Sequence, residues 1–102
     1  MDVDLSLIEG FDWDKGNLEH ITRHKVNYKE CEEVFLNKPF IVNEDESHSQ
    51  SEERFRVYGH TNKNRLVMLV LTIRNNKFRI ISVRDQSKKE RKEYQEFGDE
   101  YS

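Results

Sequence analysis

Along this chain the spacing of apolar residues changes from helical to strand-like near residue 39 and back again near residue 87. Phe11 and Trp13 supply aromatic bulk just before Asp14, a good helix N-cap, and Leu18 and Ile21 begin a narrow apolar stripe. Trp13 and Leu18 fall at the two positions of a hydrophobic staple. The pattern predicts a first helix ending near His24. A second start follows at Asn27, with Glu30 three residues on as a capping-box partner and Val26 and Cys31 at the staple positions. Cys31, Val34 and Phe35 mark its buried face. Asn37-Lys38-Pro39 ends it, because proline cannot continue a helix and disfavours helical dihedrals in the residue before it.

Beyond Pro39, Phe40-Ile41-Val42 reads as a short strand and residues 43–53 as a polar loop. From Arg54 to His60 the pattern alternates, with Phe55, Val57 and Gly59 on one face and Arg54, Arg56, Tyr58 and His60 on the other. Arg65 to Ile73 is nearly continuous in apolar residues, as suits a central strand buried on both faces. Asn75-Asn76 fits a two-residue hairpin loop, and Phe78 to Arg84 is the partner strand. Counting from that turn pairs Arg74 with Lys77, Ile73 with Phe78, Leu71 with Ile80 and Val67 with Arg84. Unbroken alternation then sends Phe78, Ile80, Ser82 and Arg84 one way and Arg79, Ile81 and Val83 the other. Arg79 and Arg84 are therefore expected on opposite sides of the sheet.

Ser87-Lys88-Lys89-Glu90 is a capping box that opens a final helix to about Phe97, with Glu90, Tyr94 and Phe97 on one side and Lys88, Arg91, Lys92 and Gln95 on another. The order is α-α-β-β-β-β-α, and a short further strand near Phe11 stays open. This predicts an α+β fold with a mainly antiparallel sheet and helices mostly on one face. At 102 residues the chain is expected to be one domain, with an acidic N-terminal segment over residues 1–10 and a tail over residues 98–102.

Charge sharpens this picture. Net charge is -3, yet Arg54 to Lys92 holds twelve Lys/Arg and only two acids, Asp85 and Glu90. Such a segment suits a polyanion, RNA above all, or an acidic protein partner. The longest apolar run, Leu66 to Leu71, is far too short to cross a bilayer, and the start Met1-Asp2-Val3-Asp4 lacks a cationic leader, so a cytoplasmic protein with no membrane partner is expected. Cys31 is the sole cysteine and reads as a core residue; no intrachain disulfide is possible. With four glycines there is no phosphate loop, and no cofactor is expected. His20 and His24 stand i, i+4 as a metal pair would, but no third ligand accompanies them, so a structural role is favoured in which His24 bonds free carbonyls at the helix end.

Several short pieces, in order, resemble the BrnT family of type II toxins: Phe11-Asp12-Trp13-Asp14, Asn17, Arg23-His24-Lys25-Val26, Glu32-Glu33-Val34-Phe35, Glu53-Arg54-Phe55, Gly59, Arg79-Ile80-Ile81-Ser82-Val83-Arg84 and Glu90-Arg91-Lys92-Glu93-Tyr94. The resemblance spans roughly residues 11 to 97. It implies a RelE-like domain that stops translation by cutting RNA and is neutralised by a BrnA-like antitoxin. One departure is Lys25, where the family usually has glycine; a left-handed backbone there costs roughly 1 kcal/mol.

A metal-independent ribonuclease directs the RNA 2′-hydroxyl at the adjacent phosphate, so it needs a base, an acid and cations for the phosphoryl oxygens. Arginine suits the last role, and Arg54, Arg79 and Arg84 are the candidates. Glu53, beside Arg54 at a loop-to-strand junction, is the candidate base, with His48 and His60 competing. Tyr94 resembles the aromatic near the end of RelE-type toxins, there to stack on a base or pass a proton; anchoring the last helix is the other reading. Lys88, Lys89, Arg91 and Lys92 would attract phosphates without reading sequence. Besides the ribonuclease, two readings stay open: a catalytically inactive RNA- or protein-binding module of the same fold, and a metal-dependent hydrolase using His20 and His24.

Overall fold

The hairpin around Asn75-Asn76 is the centre of the molecule. A computed structural model of the chain describes residues 4–46 and 52–101. Both asparagines adopt positive φ, 52° and 61°, as a tight hairpin turn requires. They join strands β4 (Leu66–Arg74) and β5 (Lys77–Asp85). Strand β3 (Phe55–His60) lies antiparallel to β4, β2 (Ile41–Glu44) lies antiparallel to β3, and β1 (Gly10–Phe11) adds a short parallel pair to the start of β5. The sheet order is β1-β5-β4-β3-β2, which leaves β4 in the middle. β2 begins one residue later and ends two later than apolar content suggests, because pairing with Phe55 to Tyr58 sets its limits.

The helices start where their caps predict. Helix α1 (Lys15–Ile21) is capped by Asp14 in a reciprocal box with Asn17, and α2 (Tyr28–Val34) by Asn27 in a box with Glu30. A 3₁₀ turn, Thr22–His24, extends α1 and ends at Lys25, whose backbone is left-handed at φ 58°. The free carbonyls there are bonded by Arg65, which reaches His24 O at 2.8 Å and Lys25 O at 2.9 Å while pairing with Asp85 at 2.7 Å. The His24 side chain was the expected partner; a guanidinium arriving from the sheet reaches two carbonyls at once. Helix α3 (Lys88–Tyr101) runs past Phe97, so residues 98–101 are helical rather than a tail.

The register of β4 and β5 departs from simple counting. Leu71 pairs with Ile80, but the next residue, Val70, pairs with Ser82, so Ile81 is an extra residue and a β-bulge. Past it Met68 meets Arg84 and Val67 meets Asp85 rather than Arg84. Phe78, Ile80 and Val83 are buried on one face, while Arg79, Ser82 and Arg84 share the other. The expectation that Arg79 and Arg84 leave opposite sides is thus overturned. Unbroken alternation would have turned Val83 out and Arg84 into the core, and the bulge avoids both.

One face carries the main core. Ile21 of α1, Val26 before α2, and Cys31 and Val34 of α2 pack on Phe55, Val57, Leu69, Leu71, Ile80 and Val83. Burial there pushes the Cys31 thiol up to about 12, consistent with an inert packing role. On the opposite face α3 inserts Tyr94 against Tyr58 and Met68 and leaves the rest of that side open. Among the described residues no helix is long and apolar enough to cross a membrane.

Gly59 allows a close approach of β3 to α2, since a methyl group placed there would overlap Val34 Cγ1. Gly59→Ala is expected to cost about 1–3 kcal/mol in chemical denaturation, and Val34→Ala in the same chain should recover part of that loss rather than add to it. At Lys25 the sign reverses: Lys25→Gly relieves the left-handed strain and should raise stability by up to about 1 kcal/mol, read as a higher thermal midpoint.

Candidate functional site

The open part of the sheet face forms a shallow cavity of about 490 Å³. Met68 and Val70 of β4 make its floor. Arg54 and Arg56 enter from β3 and its leading residue, while Ile81, Ser82 and Arg84 enter from the bulged part of β5. Asp45, just after β2, and His20, on α1, complete the rim. The bulge is what delivers Ser82 and Arg84 to this side.

These cations differ in how far they are already neutralised. Arg84 makes a two-pronged bond to Glu90, at 2.7 and 3.0 Å. Glu90 also closes the capping box of α3, accepting from Ser87 N at 2.8 Å while Ser87 Oγ accepts from Glu90 N at 3.2 Å. Bonding to Arg84 holds the Glu90 carboxyl below its ordinary pKa, and the same bond raises that of Arg84. Arg54 Nε is buried without a hydrogen bond, although the residue has other interactions. Arg56 is the exception. It is half-buried, its Nε has no partner, and among the described residues no carboxylate pairs with its guanidinium. A buried donor left without an acceptor costs free energy, which an anionic ligand in the cavity would recover.

Other sequence candidates lie elsewhere. Arg79 is on the same face but is held by Asp14 at 2.9 Å and Asp12 at 3.6 Å, at the N-terminal end of α1. Its hydrogen bond keeps the Asp14 carboxyl below the usual range. Glu53 does not line the cavity; its carbonyl accepts from Thr72 Oγ1 at 2.7 Å and its Oε2 is buried without a hydrogen bond. Tyr94 is buried, its hydroxyl donating to Pro39 O at 2.6 Å and lying 2.6 Å from His60 Nδ1. Because that hydroxyl has one proton, His60 must donate from Nδ1. Burial raises the Tyr94 pKa. Lys88, Lys89, Arg91 and Lys92 are all exposed on the first half of α3. His48 lies outside the described residues.

The structure thus brings Arg54 and Arg84 together and keeps Glu53, Arg79 and Tyr94 out of the cavity lining. Sequence reasoning missed Arg56, Ser82 and His20 as members. Arg56 carried a usable signal, since it stands two residues after Arg54 and so shares its face. Ser82 carried none, because the bulge is invisible to alternation. Among the described residues no three His, Cys, Asp or Glu side chains converge as a metal site would require, so His20 and His24 have no third ligand there.

Comparison with curated proteins finds no match. The family model for BrnT, the ribonuclease toxin of type II toxin-antitoxin systems, matches residues 13–90. That stretch holds both capped helices, the whole sheet from β2 to β5 and the start of α3. With most of its length matched, this chain belongs to the BrnT ribonuclease toxin family.

Proposed function

We propose that the protein is a metal-independent endoribonuclease that inhibits translation, binds RNA across the open sheet face, and is neutralised by a BrnA-like antitoxin that covers this surface. The observation that carries the reading is the guanidinium of Arg56, whose buried Nε has no hydrogen bond and which no carboxylate pairs among the described residues, in a cavity with Arg54 and Arg84 on its rim. In the reaction the 2′-oxygen of RNA bonds to the neighbouring phosphorus and loses its proton, while the bond to the 5′-oxygen breaks and that oxygen gains a proton. Negative charge builds on the non-bridging phosphoryl oxygens, where planar guanidinium forks bind two acceptors at once.

Arg56 is assigned the phosphate contact made only when RNA is bound, with Arg54 beside it. Arg84, locked by Glu90, presents a fixed positive edge. The exposed Lys88, Lys89, Arg91 and Lys92 attract flanking phosphates and give binding its salt dependence. Burial of Tyr94 and its bond to Pro39 support an anchoring role for that residue, and the two aspartates on Arg79 support a structural one. Glu53 is retained as a group adjacent to the cavity whose buried oxygen lacks a partner. Engagement of Arg84 by Glu90 is also the observation that favours the inactive-module reading, in which the same face binds RNA without turnover.

Purified protein should cut single-stranded RNA equally well with and without EDTA. Arg56→Ala is expected to lower the cleavage rate about 10²–10³-fold with the thermal midpoint unchanged. In cells, expression of the wild-type chain alone should arrest growth and the Arg56→Ala variant should not. RNA binding without product would select the inactive module, and loss of cutting in EDTA would sink the metal-independent mechanism.

A further inference from the structure

Resting on that ribonuclease reading, we infer that His20 is the general base that takes the proton from the attacking 2′-hydroxyl. His20 is an exposed residue of α1, and a helix packed beside the sheet has no evident reason to supply a group to the far face. It does so because of how α1 is fixed. Asn17, one turn earlier, is buried and donates to Ile80 O at 3.1 Å and to Asp12 O at 2.9 Å. The first of these bonds is made immediately beside the bulged residue Ile81, and Ile21, buried in the core, secures the end of the helix. Between the two anchors, His20 is carried to the rim of the cavity beside Ile81 and Ser82.

Among the described residues no hydrogen bond or ion pair engages the His20 imidazole, so both ring nitrogens are available to a ligand. The other side chains around the cavity are poorly suited to accept this proton. Arg54, Arg56 and Arg84 are cations that hold their protons, and Asp45 is buried and already engaged. Ser82 is an alcohol like the one to be activated. On its own helical stretch the titratable or charged residues nearest in sequence are Glu19, Arg23 and His24, none of which lines the cavity. Histidine is the one side chain present that exchanges a proton near neutral pH. Its neutral ring accepts the 2′-proton as that oxygen bonds to phosphorus, and the departing 5′-oxygen takes a proton from solvent water.

The test compares cleavage of one RNA by the wild type, His20→Ala, His20→Gln and Arg56→Ala from acid to mildly alkaline pH. Because the base must be neutral to accept a proton, wild-type activity should fall on the acid side. His20→Ala and His20→Gln should each lose about 10²-fold or more, lack that acid limb, and bind RNA within roughly three-fold of wild type. Imidazole added to the buffer should restore part of the activity of His20→Ala and none of that of Arg56→Ala; a structural role for His20 would show no such rescue. Wild-type cleavage with His20→Ala equally active, or equally dependent on pH, overturns the assignment while leaving the ribonuclease reading intact. A wild-type protein that cuts no RNA overturns both. Thermal unfolding of each variant separates lost chemistry from lost fold.

Discussion

A single inserted residue, Ile81, organises the functional face of this protein. Strand β5 has to bury Phe78, Ile80 and Val83 against the helices, and their spacing does not fit a period of two. The bulge resolves the mismatch by letting two residues of β5 oppose one of β4. Burial of Val83 beside Leu69 then obliges Ser82 and Arg84 to point away from the core, onto the face where Arg79 already lies. Asn17 ties α1 to the carbonyl of Ile80, the residue just before the insertion, so the helix and the irregular strand position each other. Displacing that bond would disturb the core on one side and the cavity on the other.

Among the described residues, four of the twelve cations in the basic stretch are held in ion pairs, Arg65, Arg74, Arg79 and Arg84. Its two internal acids each hold an arginine, Asp85 with Arg65 and Glu90 with Arg84. The acidic first half supplies further partners, Glu52 for Arg74 and Asp12 and Asp14 for Arg79. Apparent excess charge in one segment is therefore used to fasten segments distant in sequence. At these partly exposed positions such pairs add modest stability, and their larger effect is to select which cations remain for a ligand. Among the described residues Arg56 remains, with the exposed Lys63, Lys77 and the lysines and arginine at the start of α3.

Tyr94 and His60 show the same economy on the opposite end of this face. The tyrosine joins α3 to the sheet through Tyr58 and Met68, and its hydroxyl meets both Pro39 O and His60. Tyr94 thereby forms a junction between the last helix, the third strand and the segment leading into the second. Lys25 illustrates a different compromise, a left-handed turn held by a non-glycine residue because Arg65 bonds its carbonyl.

Local signals in the sequence determined the element types, the Asp14 and Asn27 caps, the Asn75-Asn76 turn, the central position of β4 and membership of the BrnT family. Each of these depends on residues within a few positions of one another, or on a linear order of motifs. Pairing of β4 with β5 could be counted correctly only as far as Leu71 and Ile80, because counting assumes that no residue is inserted. The faces of Ser82 and Arg84, the pairing of Arg79 and Arg84 with carboxylates, and the placing of His20 and Arg56 on one cavity were decided by tertiary packing. Burying Val83 and satisfying the carbonyl of Ile80 are requirements that exist only once helix and sheet meet, and no local pattern encodes them.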